Sequence, residues 1–166
     1  MTEIATQSRG AKMPPSGVGS DGLQAIHQAR VVQQVLANGT ASVLPEEVIR
    51  AMAVGINMGN TLEAPVEGEW RAPASESLFD AYLAAGFRSV RVPVRWDNHT
   101  ARTPPYSIDA AWLDRVAEVV GWSTKRGLVT IVNSHHDTWL DDPAAFEGML
   151  PRFEAIWRQV GGHTHY

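Results

Sequence analysis

The chain has 166 residues, 44% of them hydrophobic and 19% charged, with a formal net charge of -4 and no cysteine. That length holds one ordinary domain or part of a larger one. Mild acidity without a Lys/Arg block argues against a nucleic-acid binder or a basic membrane-surface helix, and the missing thiols exclude disulfides and thiolate metal sites.

No apolar run approaches the ~18 residues that cross a bilayer. The N-terminal MTEIATQSRGAKMPPSG lacks the apolar stretch of a secretory signal, so localisation stays open. Residues 1 to 20 are rich in Gly, Pro, Ser and Thr and are expected to be disordered. Residues 22–37 read as a helix, with Leu23, Ile26, Val31, Val35 and Leu36 loosely on one face and Gly39 as its stop. We take 1–44 as an N-terminal extension and 45–166 as the body of the fold.

From Pro45 the signals sharpen. PEEVIRAM predicts a short helix with Pro and two Glu in its first turn. AVGINMGN (53–60) is a short apolar run that predicts a first strand. SESLFDAYLAAG (75–86) predicts a helix capped by Ser75, buried through Leu78, Phe79, Tyr82 and Leu83, and stopped by Gly86. FRSVRVPV (87–94) predicts a strand. DAAWLDRVAEVVGWSTKRG (109–127) predicts a helix capped by Asp109, with Trp112, Leu113, Val116, Val119 and Val120 on one side. LVTIVNSHHD (128–137) predicts a third strand. A last helix is expected from Pro151 to about residue 160, burying Phe153, Ile156, Trp157 and Val160.

Strands alternating with helices imply parallel βαβ units. Only three such units fit between Ala53 and Tyr166, whereas eight close a barrel of ~250 residues. The expectation is an α/β fold, a partial (β/α)8 TIM barrel of about three N-terminal βα units behind a disordered or helical extension. The rival is a small open sheet. Against it, GINMGN is neither GxGxxG nor a P-loop. Three strands leave an unpaired edge, so exposure of strand three and self-association through that edge are expected.

In parallel α/β folds, chemistry sits at the C-terminal strand ends. Those ends carry Asn57, Gly59, Asn60, Thr61 and Glu63, then Arg91 with Arg95, Trp96, Asp97, Asn98 and His99, then Asn133, His135, His136, Asp137 and Trp139. Amides and imidazoles bond hydroxyls, and indoles stack on pyranose rings. The mix suits a sugar chain. A metal site from His135, His136 and Asp137 alone is geometrically poor, because adjacent strand residues diverge. Glu63 and Glu69 read as solvated loop carboxylates, and His163 and His165 as exposed tail residues.

At GINMGNTLEA, GFRSVRVPVRWDNHT and LVTIVNSHHDTWL the sequence resembles glycoside hydrolase family 5, the cellulase family. The three motifs stand in the right order, each at a strand end, and the resemblance runs from about Val54 to Val160. It implies a retaining β-glycosidase of the endo-β-1,4-glucanase type, acting on β-glucan or a related polysaccharide. Two carboxylates ~5–5.5 Å apart would act as acid/base and nucleophile, and no metal or organic cofactor is implied. In the family these are a Glu after an Asn at the end of strand four and a Glu at the end of strand seven. No Asn-Glu pair occurs here. Both are therefore expected after Tyr166, and the chain alone is expected to be inactive.

The resemblance further implies supporting roles. Arg91 matches the Arg that bonds the nucleophile, and His135 the His beside the bond being cut. His136, Asn60, Trp139 and His99 are expected to contact substrate, although Asn60 also fits a turn and Trp139 fits loop packing. Trp96 is expected to pack the barrel. The alternative reading is a non-catalytic carbohydrate-binding remnant of the barrel.

Overall fold

The computed structural model describes residues 45–140 and 142–163. The expectations for residues 1–44, including the helix over 22–37, and for His165 lie outside them. Element order is α1 (Pro45–Met52), β1 (Gly55–Asn57), α2 (Glu76–Ala84), β2 (Ser89–Val94), α3 (Ala110–Lys125), β3 (Val129–Ser134) and α4 (Pro143–His163), with single 3-10 turns at Asp97–His99 and Thr138–Leu140.

The three strands form one sheet in the order β1-β2-β3. Both pairings are parallel, with Asn57 opposite Arg91 and Arg91 opposite Ile131. Strand, helix, strand repeats in sequence, and consecutive strands are spatial neighbours, the arrangement of successive βα units in a barrel wall. Within the described residues β1 and β3 each have one flank without a strand partner, and Ile131 on β3 is 39% exposed.

Side chains alternate across a strand, and β2 shows why that matters. Val90, Val92 and Val94 are fully buried and join Phe79, Tyr82, Trp112, Val116, Val119, Ile156 and Val160 in one core between sheet and helices. Each buried valine contributes about 1.5–3 kcal/mol relative to an exposed one. Ser89, Arg91 and Pro93 face the other way, toward what is the barrel interior in a closed (β/α)8 fold. Helix α1 sits at the lower end of the sheet, where Ser89 Oγ donates to the Met52 carbonyl at 2.9 Å.

Helix α3 begins as expected: Asp109 Oδ1 accepts from the amides of Ala111 (2.8 Å) and Trp112 (3.2 Å). Helix α2 runs out into Gly86 at φ 96, a left-handed position where a Cβ is costly. Ser75 differs from expectation. Its hydroxyl pairs with Ser77 Oγ instead of capping α2.

The last helix starts earlier than expected. It begins at Pro143, and Pro151 lies inside it. The start signal is Asp142, whose Oδ1 accepts the Ala144 amide at 2.9 Å, followed by proline in the first turn. Pro151 forgoes one backbone bond, yet Arg152, Ile156 and Val160 beyond it are buried, so packing holds the helix together through the proline. Phe153 and Trp157 are half-buried, with ring centroids 6.0 Å apart. His163 is exposed, as expected, and its Nε2 pairs with Asp114 Oδ1 at 3.0 Å. No helix among the described residues is long and apolar enough to cross a membrane.

Candidate active-site rim

The loop after β1 is built first. Asn60 takes a left-handed φ of 62, which an Asn side chain tolerates. Its amide donates to Glu63 Oε1 at 2.5 Å, and the Thr61 amide donates to Glu63 Oε2 at 2.8 Å. Glu63 is 2% exposed, so the expectation of a solvated carboxylate is corrected: it is the internal acceptor of a tight turn. Its position three residues after Asn60 was the available signal, since that spacing lets a carboxylate reach back to preceding amides. Gly59 leaves room for the Asn57 amide, since a Cβ would stand 2.8 Å from Asn57 Nδ2 and push it aside. Arg95 N donates to the Leu62 carbonyl at 3.1 Å and joins this turn to the end of β2.

Arg91 lies on the inner face beside that turn. Its Nη1 donates to Asn57 Oδ1 at 2.6 Å, the neighbour that the parallel register supplies. The half-buried guanidinium thus has a neutral amide as its partner on this side.

The end of β3 brings the imidazoles. His135 N donates to the Val94 carbonyl at 2.9 Å, which extends the ladder one step past the strand. His136 then turns at φ 56. A regular strand would send the two rings to opposite faces. The turn instead gathers them on one rim, with centroids 4.2 Å apart and planes tilted by 50°. Burial holds the His135 imidazole below its ordinary protonation range, His136 and Arg91 push the same way, and Glu63 opposes them. Trp70, which sequence reasoning did not single out, meets His136 edge-on at 5.5 Å and is 45% exposed.

Comparison with known proteins gives the family. The sequence profile of Cellulase (glycosyl hydrolase family 5) matches residues 53–163. The chain belongs to glycosyl hydrolase family 5. It is 57% identical over 116 residues to Endoglucanase H of Acetivibrio thermocellus, covering 70% of this chain and 13% of that protein. The structure of an endoglucanase from Thermotoga maritima in complex with mannotriose is similar at 41% identity and a TM-score of 0.60, over 66% of this chain and 35% of that one. A broad-specificity endoglucanase from Clostridium acetobutylicum gives 34% identity and a TM-score of 0.67, over 72% and 37%. The chain therefore spans about an eighth of the first relative and about a third of the two structures.

Within this family 5 chain, two expected sugar contacts are engaged by neighbouring side chains, Trp139 in the core and His99 half-buried. Trp139 is 4% exposed, with the Arg152 guanidinium 4.7 Å above its ring, so its area is taken up by packing. His99 stacks on Trp112 at 3.9 Å with planes 12° apart. Burial holds its pKa below the ordinary value, and Asp109 and Asp97 oppose that shift. Trp96, fully buried against Trp157 at 6.1 Å, packs as expected.

Asp137 is also internal. Its Oδ1 accepts from the amides of Trp96 (2.7 Å) and Asp97 (2.8 Å), and its Oδ2 from Ser134 Oγ. Burial raises its pKa against the pull of those donors. It latches the loop after β3 to the loop after β2, and Arg95 adds a second latch by donating through Nε and Nη2 to the His136 carbonyl at 2.9 and 2.5 Å. Among the described residues no three His, Asp or Glu side chains gather as a metal site would need.

Proposed function

We propose that this chain is the substrate-holding and nucleophile-supporting part of a retaining endoglucanase-type hydrolase acting on a β-1,4-linked glucan or a related mannan. The observation that carries the reading is the shared rim of Asn60, Arg91, His135 and His136, built on the C-terminal ends of three parallel strands. That is where barrel enzymes hold their reacting groups. Solved relatives from Thermotoga maritima are complexes with cellobiose and with mannotriose as substrate, which supports the substrate class.

The chemistry follows from the groups present. A neutral imidazole both donates and accepts one hydrogen bond, and burial favours that form of His135. It can therefore bond a sugar hydroxyl without bringing a full charge into the cleft. Arg91 presents a positive charge that would stabilise an ionised carboxylate beside it and lower its pKa. Glu63 is poorly placed to be that carboxylate, because both its oxygens already accept backbone amides. The reading therefore assigns the acid/base and the nucleophile to later strands of the barrel, as the family resemblance implies.

Calorimetric titration of the purified chain with cellotetraose and mannotetraose, beside a reducing-end assay on β-glucan, tests this. Binding that is lost in His135→Ala, without release of reducing ends by this segment alone, is the expected result. Failure to bind any β-1,4-linked glucan or mannan overturns the reading, and turnover by this segment overturns the assignment of the carboxylates.

A further inference from the structure

The loop between β1 and α2 holds an exposed tryptophan over an organised base, and nothing in the rim chemistry above uses either. At that base Glu67 Oε1 accepts the Ala74 amide at 2.9 Å. Arg115, from the outer helix α3, donates through Nε to Glu67 Oε2 and through Nη2 to Glu67 Oε1, both at 2.9 Å, and Nη2 also reaches the Ala74 carbonyl at 2.9 Å. Its guanidinium lies 5.0 Å over the Trp122 ring. One carboxylate and one guanidinium thus close the segment 68–73 into a short loop pinned to a rigid helix. Hydrogen bonding and charge from Arg115 keep Glu67 below the usual carboxylate range against the burial that would raise it, so the clasp stays ionised at neutral pH.

The loop presents Trp70. Trp70 is 45% exposed and stands edge-on to His136, which in turn stands beside His135. An indole held at a fixed angle to two imidazoles offers an apolar plane next to hydroxyl-binding groups, and a pyranose ring presents those two surfaces together. We propose that Trp70 forms a sugar-stacking wall of the cleft next to His136, and that Arg115 and Glu67 are positioning residues that set it there from the outer helix layer. This rests on the glycan-binding reading above and adds to it a specificity element, the ring-face contact, with its remote support.

The test is a double-mutant cycle read by titration with cellotetraose. Trp70→Ala weakens binding by about tenfold and Trp70→Phe by less, in line with the worth of an aromatic contact. Arg115→Met weakens binding in the wild-type background but adds nothing in the Trp70→Ala background, because it acts only through that ring. Cellotetraose also protects Trp70 from N-bromosuccinimide oxidation, mapped by mass spectrometry, and Arg115→Met removes that protection. Circular dichroism melts confirm that each variant is folded. If His135→Ala abolishes binding while Trp70→Ala leaves it unchanged, the stacking wall is wrong and the glycan reading stands. If Arg115→Met weakens binding equally in both backgrounds, the positioning role is wrong. If the wild-type chain binds no glycan, both readings fall together.

Discussion

The two faces of β2 obey different rules. One face places Val90, Val92 and Val94 at zero exposure against the helices, and the other places Ser89, Arg91 and Pro93 toward the barrel interior. The residues are interleaved one by one, yet the valines hold the core while Arg91 is turned to the cleft beside Asn57. The difference follows from the two-residue period of a strand. It allows a polar cleft to be carried on an apolar scaffold without either weakening the other, and it predicts that stability and binding separate cleanly by parity of position.

The largest expected effect comes from the helix side. Phe79→Ala, which empties a fully buried site, should cost about 3–5 kcal/mol in urea-induced unfolding. Arg91→Met, on the opposite face, should leave the unfolding midpoint close to wild type while weakening glycan binding in calorimetric titration. A large loss of stability in the second variant would break the separation.

A smaller effect is expected from His99, whose pKa lies below its ordinary value of 6.5 in the folded chain. A depressed imidazole pKa means that the unfolded chain takes up the proton first. Stability is then fully present above 6.5 and is lost as pH falls through the folded value. Thermal melts from pH 8 to pH 5 should show that loss, and His99→Phe, which keeps the stack on Trp112, should flatten it. An unchanged slope would place the titrating group elsewhere. The smallest effect is expected on the surface, where Arg158 and Glu154 pair at 3.2 Å with both side chains exposed. Arg158→Ala should leave the melting temperature unchanged within error, since exposed i,i+4 pairs contribute little.

The strand-helix alternation was legible because hydrophobic period and helix stops agree in α2, α3 and β2. The rim was legible at Arg91, since a charge inside an apolar strand must face something polar, and at His135 and His136, which follow a strand. The rest was hidden for physical reasons. Trp139 and His99 carry side chains that serve sugars and cores equally well, and only three-dimensional neighbours such as Arg152 and Trp112 decide between them. Trp70 sits in a loop whose shape depends on Arg115, 45 residues later, so no local pattern could reveal it. The start of α4 is ambiguous in the sequence because Pro151 and the Asp142–Pro143 pair both carry helix-opening signals, and packing extends the helix through Pro151.

The contact between buried Arg152 and the loop after β2 has a consequence for synthesis. Arg152 Nη2 donates to the carbonyls of Asp97 and Thr100, which precede it by 55 and 52 residues. As a nascent polypeptide leaves the ribosome, that loop emerges well before the side chain that completes its anchorage. Until α4 arrives, the Asp97 and Thr100 carbonyls lack this guanidinium donor. The upper rim of the second unit therefore matures on the schedule of the third, and a pause in translation between them would prolong an interval in which the loop is open to proteases.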